Sequence, residues 1–151
     1  MKDTLMEGLG ALVGTFGFAL LFGLKYKKLL AATAGGLCVW GVYAIMNHLM
    51  PDNLFLCNFA PALFGTMYSQ IMARVLKAPS TMFIFTSLIV LVPGGMLYYS
   101  MDSLIRGNTS EGLSRVLDTL KVSIALASGI VVIMASTKIL YYFLQKKQRN
   151  S

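Results

Sequence analysis

Charge is what this sequence has least of. Only 13% of its 151 residues are charged, where a soluble domain carries about a quarter. Acidic residues are scarcer than basic ones, six against 13, and there is one histidine and one tryptophan. With 56% hydrophobic residues, this scarcity excludes a disordered chain, a coiled coil and an ordinary soluble enzyme. One histidine and two cysteines make no Cys/His/carboxylate cluster at metal-ligand spacing. No serine or cysteine has a base nearby in sequence, and no glycine-rich phosphate loop precedes a helix. The sequence therefore predicts no catalytic residue, no metal, no cofactor and no enzyme activity. Cys38 and Cys57 lie inside apolar stretches and read as buried thiols, not as a disulfide.

What the chain has instead is long apolar runs, with a mean hydropathy of +0.69. A helix needs about 20 apolar residues to cross the hydrocarbon core. Five stretches qualify, at approximately 8–24, 29–50, 54–76, 80–101 and 122–144. The expected fold is all-α: one polytopic integral membrane domain over residues 1–151, with about five transmembrane helices and the lipid bilayer as its first partner. A formal charge of +7 would suggest nucleic acid in a soluble domain. Here the basic residues sit between apolar runs and set topology, so no nucleic-acid partner is expected. The first run reads as a retained helix and not a signal peptide, because Lys25, Lys27 and Lys28 follow it while Lys2 is offset by Asp3 and Glu7. Arg74 and Lys77 flank the third joint, and Lys146, Lys147 and Arg149 mark the tail. The charge bias places the N-terminus outside and the C-terminus in the cytoplasm.

The segment 108–121 reads as an amphipathic helix. Asn108 can cap it with Glu111 three residues on. Leu113, Val116, Leu117 and Leu120 form its apolar stripe, and Glu111 and Arg115 pair one turn apart. Fused to the last span, it would run about 35 residues, or roughly 50 Å, which exceeds the bilayer core. Small residues recur on helix faces: Gly10, Gly14 and Gly17; Ala32 and Gly36; Ala125 and Gly129. Such faces let helices approach closely, within this chain or against a second subunit. Tyr26, Trp40, Tyr43, Tyr98, Tyr99, Tyr141 and Tyr142 read as interfacial anchors. His48 reads as structural, and Lys138 as a snorkelling side chain.

The fourth span contains Val92-Pro93-Gly94-Gly95. Proline removes a backbone donor, and the glycines weaken the helix further. Two readings stand. One is a simple kink. The other is a discontinuous helix whose freed backbone groups cradle a carboxylate-bearing solute. The third span offers polar company in Asn58, Thr66, Ser69 and Gln70, which either line a pathway or bond between helices. Asp102 either pairs with Arg106 on the surface or acts as a gate or coupling group.

The order and spacing of several pieces resemble the threonine/serine exporter family, in its small-subunit, C-terminal-half type. These are Gly17-Phe18-Ala19 before the basic joint Lys25–Lys28, then Gly35-Gly36, Lys77-Ala78-Pro79 with Phe83, and Leu91-Val92-Pro93-Gly94 with Tyr98 and Met101. The resemblance covers nearly the whole chain. It implies a bacterial inner-membrane exporter of small amino acids or dicarboxylates, with Pro93, Gly94, Gly95 and Tyr98 near the substrate. It implies a larger partner from the same family, as in a two-gene arrangement, or a homo-oligomer. Relatives often carry a further proline three residues before the Pro-Gly pair, where this chain has Val90, which softens the expected break. The alternative is a non-transporting structural subunit of a membrane complex.

Overall fold

Six α-helices and one 3-10 turn make up the regular structure of residues 2–149, which a computed structural model describes; no strand occurs among the described residues. The helices are α1 (Lys2–Leu21), α2 (Lys27–Leu49), α3 (Leu54–Val75), α4 (Ser80–Leu88), α5 (Gly94–Ile105) and α6 (Thr109–Arg149), with the 3-10 turn Ile89–Leu91 between α4 and α5. The side chains of Tyr141, Lys147 and Arg149 lie outside what is described.

Three helices end the same way. After α1, the Gly23 N–H donates to Leu20 O (2.9 Å) and the Leu24 N–H to Ala19 O (3.0 Å), with Gly23 at φ 69°. This left-handed cap satisfies carbonyls that the last turn would leave open. Gly107 repeats it after α5 at φ 83°, and Lys77 repeats it after α3 at φ 48°. The caps make the joints short, so consecutive helices fold back on one another.

By length and composition, two helices suffice to cross a membrane: α2, and α6 over Thr109–Leu140. The pair Ser80–Leu91 and Gly94–Ile105 is long and apolar enough only when taken together and is bent by 49°, the geometry of a broken span or of a re-entrant loop, while the apolar part of α1, Met6–Leu21, is shorter. α3 packs on α2, α4 and α6, and its contact with α6 is the most extensive in the bundle. One buried cluster joins Ala19, Leu24, Ala32, Ala73 and Phe83 at the basic end. A second joins Val39, Ala62, Ile84, Leu88 and Leu91 beneath the break. The Cys57 thiol is within hydrogen-bond distance of Met50 O (3.1 Å) and Met46 O (3.6 Å), which ties the start of α3 to the end of α2.

The amphipathic segment and the last apolar run form a single unbroken helix of 41 residues, roughly 60 Å long. Its packing face differs from the sequence reading. Leu113, Leu117 and Leu120 point outward at 59%, 51% and 51% exposure, whereas Gly112, Thr119 and Val122 are buried. The reason is distance. α5 approaches so closely that a Cβ on Gly112 would stand 2.6 Å from Leu104 Cδ2 and 3.2 Å from its backbone nitrogen. Only small residues fit such a seam, and the leucines are left for lipid. Cys38 corrects a second expectation. It is exposed, because α2 turns Ala32, Gly35, Gly36 and Val39 inward and Cys38 falls off that face; Cys57 is buried as expected. Trp40 is not a terminal anchor either. It sits in mid-helix, its ring about 3 Å from where a Cβ on Gly8 would be.

The small-residue faces divide. A Cβ on Gly36 would collide with Thr15 of α1, and one on Gly129 would lie 2.8 Å from Ala62 Cβ of α3. These two faces hold helices of this chain together. Around Gly10, Gly14 and Gly17 nothing lies within 4 Å of an added Cβ.

Candidate functional site

The interruption between α4 and α5 follows from Pro93. A residue before proline is pushed out of the helical region, and Val92 is extended at φ −64°, ψ 122°. The helix tightens to a 3-10 turn first, with the Val92 N–H donating to Ile89 O at 3.2 Å. The chain then restarts. Gly94 N–H donates to Val92 O (2.8 Å) and Leu97 N–H to Pro93 O (3.0 Å). The break therefore lies at Val92–Pro93, and Gly94 and Gly95 open the second half-helix instead of interrupting the first. Leu91, packed in the core cluster, anchors the end of the first half.

α5 has Pro93 at its N-cap and no side-chain cap. The N–H groups of its first turn carry the positive end of the helix. Gly95 and Met96 line a cavity of about 250 Å³ together with Pro93, Asn58, Tyr43 and Val90. Tyr43 and Val90 also line a larger cavity of about 460 Å³, whose other walls include Glu7, Thr15, Asn47 and the Gly10/Gly14 face of α1. Gly10 and Gly14, which pack on no other helix, thus border this cavity, and Tyr43 and Val90 line both cavities.

The structure brings together some of the residues expected from sequence and separates others. Asn58 reaches the break. It is 4% exposed, and its amide nitrogen donates to Leu54 O at 2.8 Å, which aims the side chain back along α3. Thr66 and Ser69 do not reach it. Both are buried in the bundle interior. Thr66 donates to Ala62 O (2.7 Å), and the Ser69 hydroxyl has no hydrogen-bond partner, a condition shared by Ser87. Gln70 lines a different cavity, near the far end of α3 with Arg74 and Lys138. Tyr98 points outward at 67% exposure, its ring 5.5 Å from that of Tyr99. Asp102 forms an exposed pair with Arg106 at 2.9 Å, outside both cavities. Such a pair adds little to stability.

Sequence reasoning passed over Glu7, Thr15, Tyr43 and Asn47 as site residues. A signal was present. Glu7, Gly10, Ala11 and Gly14 recur at helical spacing, and so do Tyr43 and Asn47. What the sequence cannot supply is that these two stripes face each other. Among the described residues, no three His, Cys, Asp or Glu side chains group to hold a metal.

Apolar helices long enough to cross a bilayer, with a helix pair interrupted at a proline, are the architecture of a helical membrane protein. The chain belongs to the threonine/serine exporter family: the family profile described as "Threonine/Serine exporter, ThrE" matches residues 7–136. No curated protein and no solved structure matches the chain. The family is one of transporters and not of enzymes.

Proposed function

We propose that this chain is a membrane subunit of a secondary exporter of small carboxylate-bearing metabolites, threonine and serine or dicarboxylates. It works in the bacterial inner membrane with a larger subunit of the same family, or as a homo-oligomer. In this reading α1, α2, α3, the broken pair α4–α5, and α6 are the five spans, with the N-terminus outside. The observation that carries the proposal is the uncapped start of α5 at the cavity beside Asn58. A carboxylate seated there accepts from the Gly95 and Met96 N–H groups and meets the positive end of the helix. Tyr43 lines both cavities and carries a hydroxyl that can serve as a further donor. An odd number of spans does not divide into two equal inverted repeats, which favours a second chain completing the carrier.

Counterflow in proteoliposomes tests this reading. The chain is reconstituted alone and with the larger family subunit, and labelled threonine, serine and succinate are offered. Uptake with both chains together is the expected result, and uptake by this chain alone identifies the homo-oligomer. No uptake by a folded complex in either arrangement sinks the reading and favours the structural subunit.

Glu7 bears on substrate choice. It is the acidic residue among the walls of the two cavities. A carboxylate there attracts the ammonium group of an amino acid and repels the second carboxylate of a dicarboxylate. Glu7→Gln is expected to lower threonine and serine counterflow by about tenfold, the scale of one charge-assisted hydrogen bond, and to leave succinate undiminished. An equal fall for all three substrates would refute the role.

A further inference from the structure

A cavity of about 430 Å³ lies away from the break, between the C-terminal part of α3, the start of α4 and the later part of α6. Gln70 and Arg74, one turn apart on α3, form one wall. Met134, Lys138 and Tyr142, at four-residue steps on α6, form another. Two cationic side chains from different helices therefore converge on one opening. The composition is graded. Met134 is apolar, Lys138 and Arg74 are charged, and Tyr142 is an amphipathic aromatic at 65% exposure. An apolar residue followed by a snorkelling lysine and an amphipathic tyrosine is the composition of a helix end at the boundary between hydrocarbon core and headgroup layer.

The charge distribution supports an anionic occupant. The acidic residues Asp3, Glu7, Asp52, Asp102, Glu111 and Asp118 fall at the start of α1, in the α2–α3 turn, or around the α5–α6 turn. These positions are one end of the bundle, since consecutive passages run in opposite directions. The cavity lies at the other end, with the α1–α2 and α3–α4 turns and their lysines. Among the described residues no acidic side chain lies at that end, so its side-chain charge is net positive.

We infer that this cavity binds the phosphate headgroup of an anionic phospholipid. Arg74 offers a planar, multi-donor guanidinium and Lys138 a flexible ammonium on an apolar stem. Gln70 and Tyr142 add neutral hydrogen-bonding groups. The acyl chains of the lipid would lie along Met134 and the outward apolar surface of α6, where Val131 and Val132 are 62% and 46% exposed. Basic pockets between spans are the places where anionic headgroups are held. The exporter site at the break is not needed for this inference.

The test is native mass spectrometry of the full-length chain in detergent, titrated with phosphatidylglycerol, phosphatidylcholine and inorganic phosphate. Retention of phosphatidylglycerol over phosphatidylcholine is expected. Arg74→Gln and Lys138→Gln should each weaken it by about fivefold, and the double variant by about thirtyfold. Lys121→Gln, at the opposite end of the bundle, is the control and should bind as the wild type does. Equal retention of the two lipids, or of phosphatidylglycerol by wild type and double variant, overturns the inference. Phosphate competing at concentrations equal to those of the lipid would also overturn it, since the occupant would then be a free anion. Thermal midpoints of the variants in neutral detergent, unchanged from wild type, show that lost binding is not lost folding.

Discussion

Gly129→Leu is expected to break the bundle. A Cβ at this position would stand 2.8 Å from Ala62 Cβ, 3.2 Å from Leu63 N and 3.2 Å from Phe59 O. Two of those three atoms are backbone, so no rotamer change relieves the contact. α6 must move away from α3, and this is the largest interface in the chain. Overpacking a tight core costs about 1–3 kcal/mol where side chains can yield. Here they cannot, and a loss of about 3 kcal/mol or more is expected. Gly129→Ala should lie between the two. Gly14→Leu is the matched control, because nothing within 4 Å meets its Cβ. Thermal unfolding in detergent, followed by circular dichroism, reads all three. If Gly129→Leu unfolds at the wild-type temperature, the close α3–α6 seam is not what holds these helices.

The second large effect concerns transport and not stability. Gly95 lines the cavity at the start of α5, yet a Cβ there meets nothing within 4 Å. Gly95→Leu therefore leaves the fold in place while its side chain occupies the space a substrate carboxylate needs. Counterflow is expected to fall roughly 10- to 100-fold, the range for losing a hydrogen bond to a charged group. Gly94→Leu is informative beside it. Gly94 is equally free of contacts but is not part of the cavity wall, so its effect should be smaller. Size-exclusion profiles and unfolding temperatures of both variants should match wild type. Wild-type counterflow by Gly95→Leu would remove the start of α5 from the substrate path.

The two experiments rest on opposite uses of the same residue type. Gly129 is small because a neighbouring backbone occupies the space beside it. Gly95 is small where the space is empty, at the positive end of a helix. Composition treats them alike, and only their surroundings separate a packing glycine from one that keeps a cavity open.

Much of this protein is legible in its sequence. Scarcity of charge and long apolar runs specify membrane helices, because burying backbone polar groups in hydrocarbon leaves helices or closed barrels as the structures that satisfy them. Pro93 alone dictates the break, since its ring removes a donor and forces Val92 to be extended. The close seams at Gly36 and Gly129 were visible as small residues one turn apart. Asn58 could be singled out as a polar residue in an apolar run. The tertiary structure decided what pattern leaves open. It set which face of α6 packs, placing Gly112 and not the leucine stripe against α5, because the approach distance between helices is a property of the pair. It carried Gln70 and Asp102 away from the break and brought Glu7, Tyr43 and Asn47 towards it. Helical spacing tells which residues share a face of one helix. Which faces meet depends on how six helices of unequal length close around one another, and that is settled by packing in three dimensions.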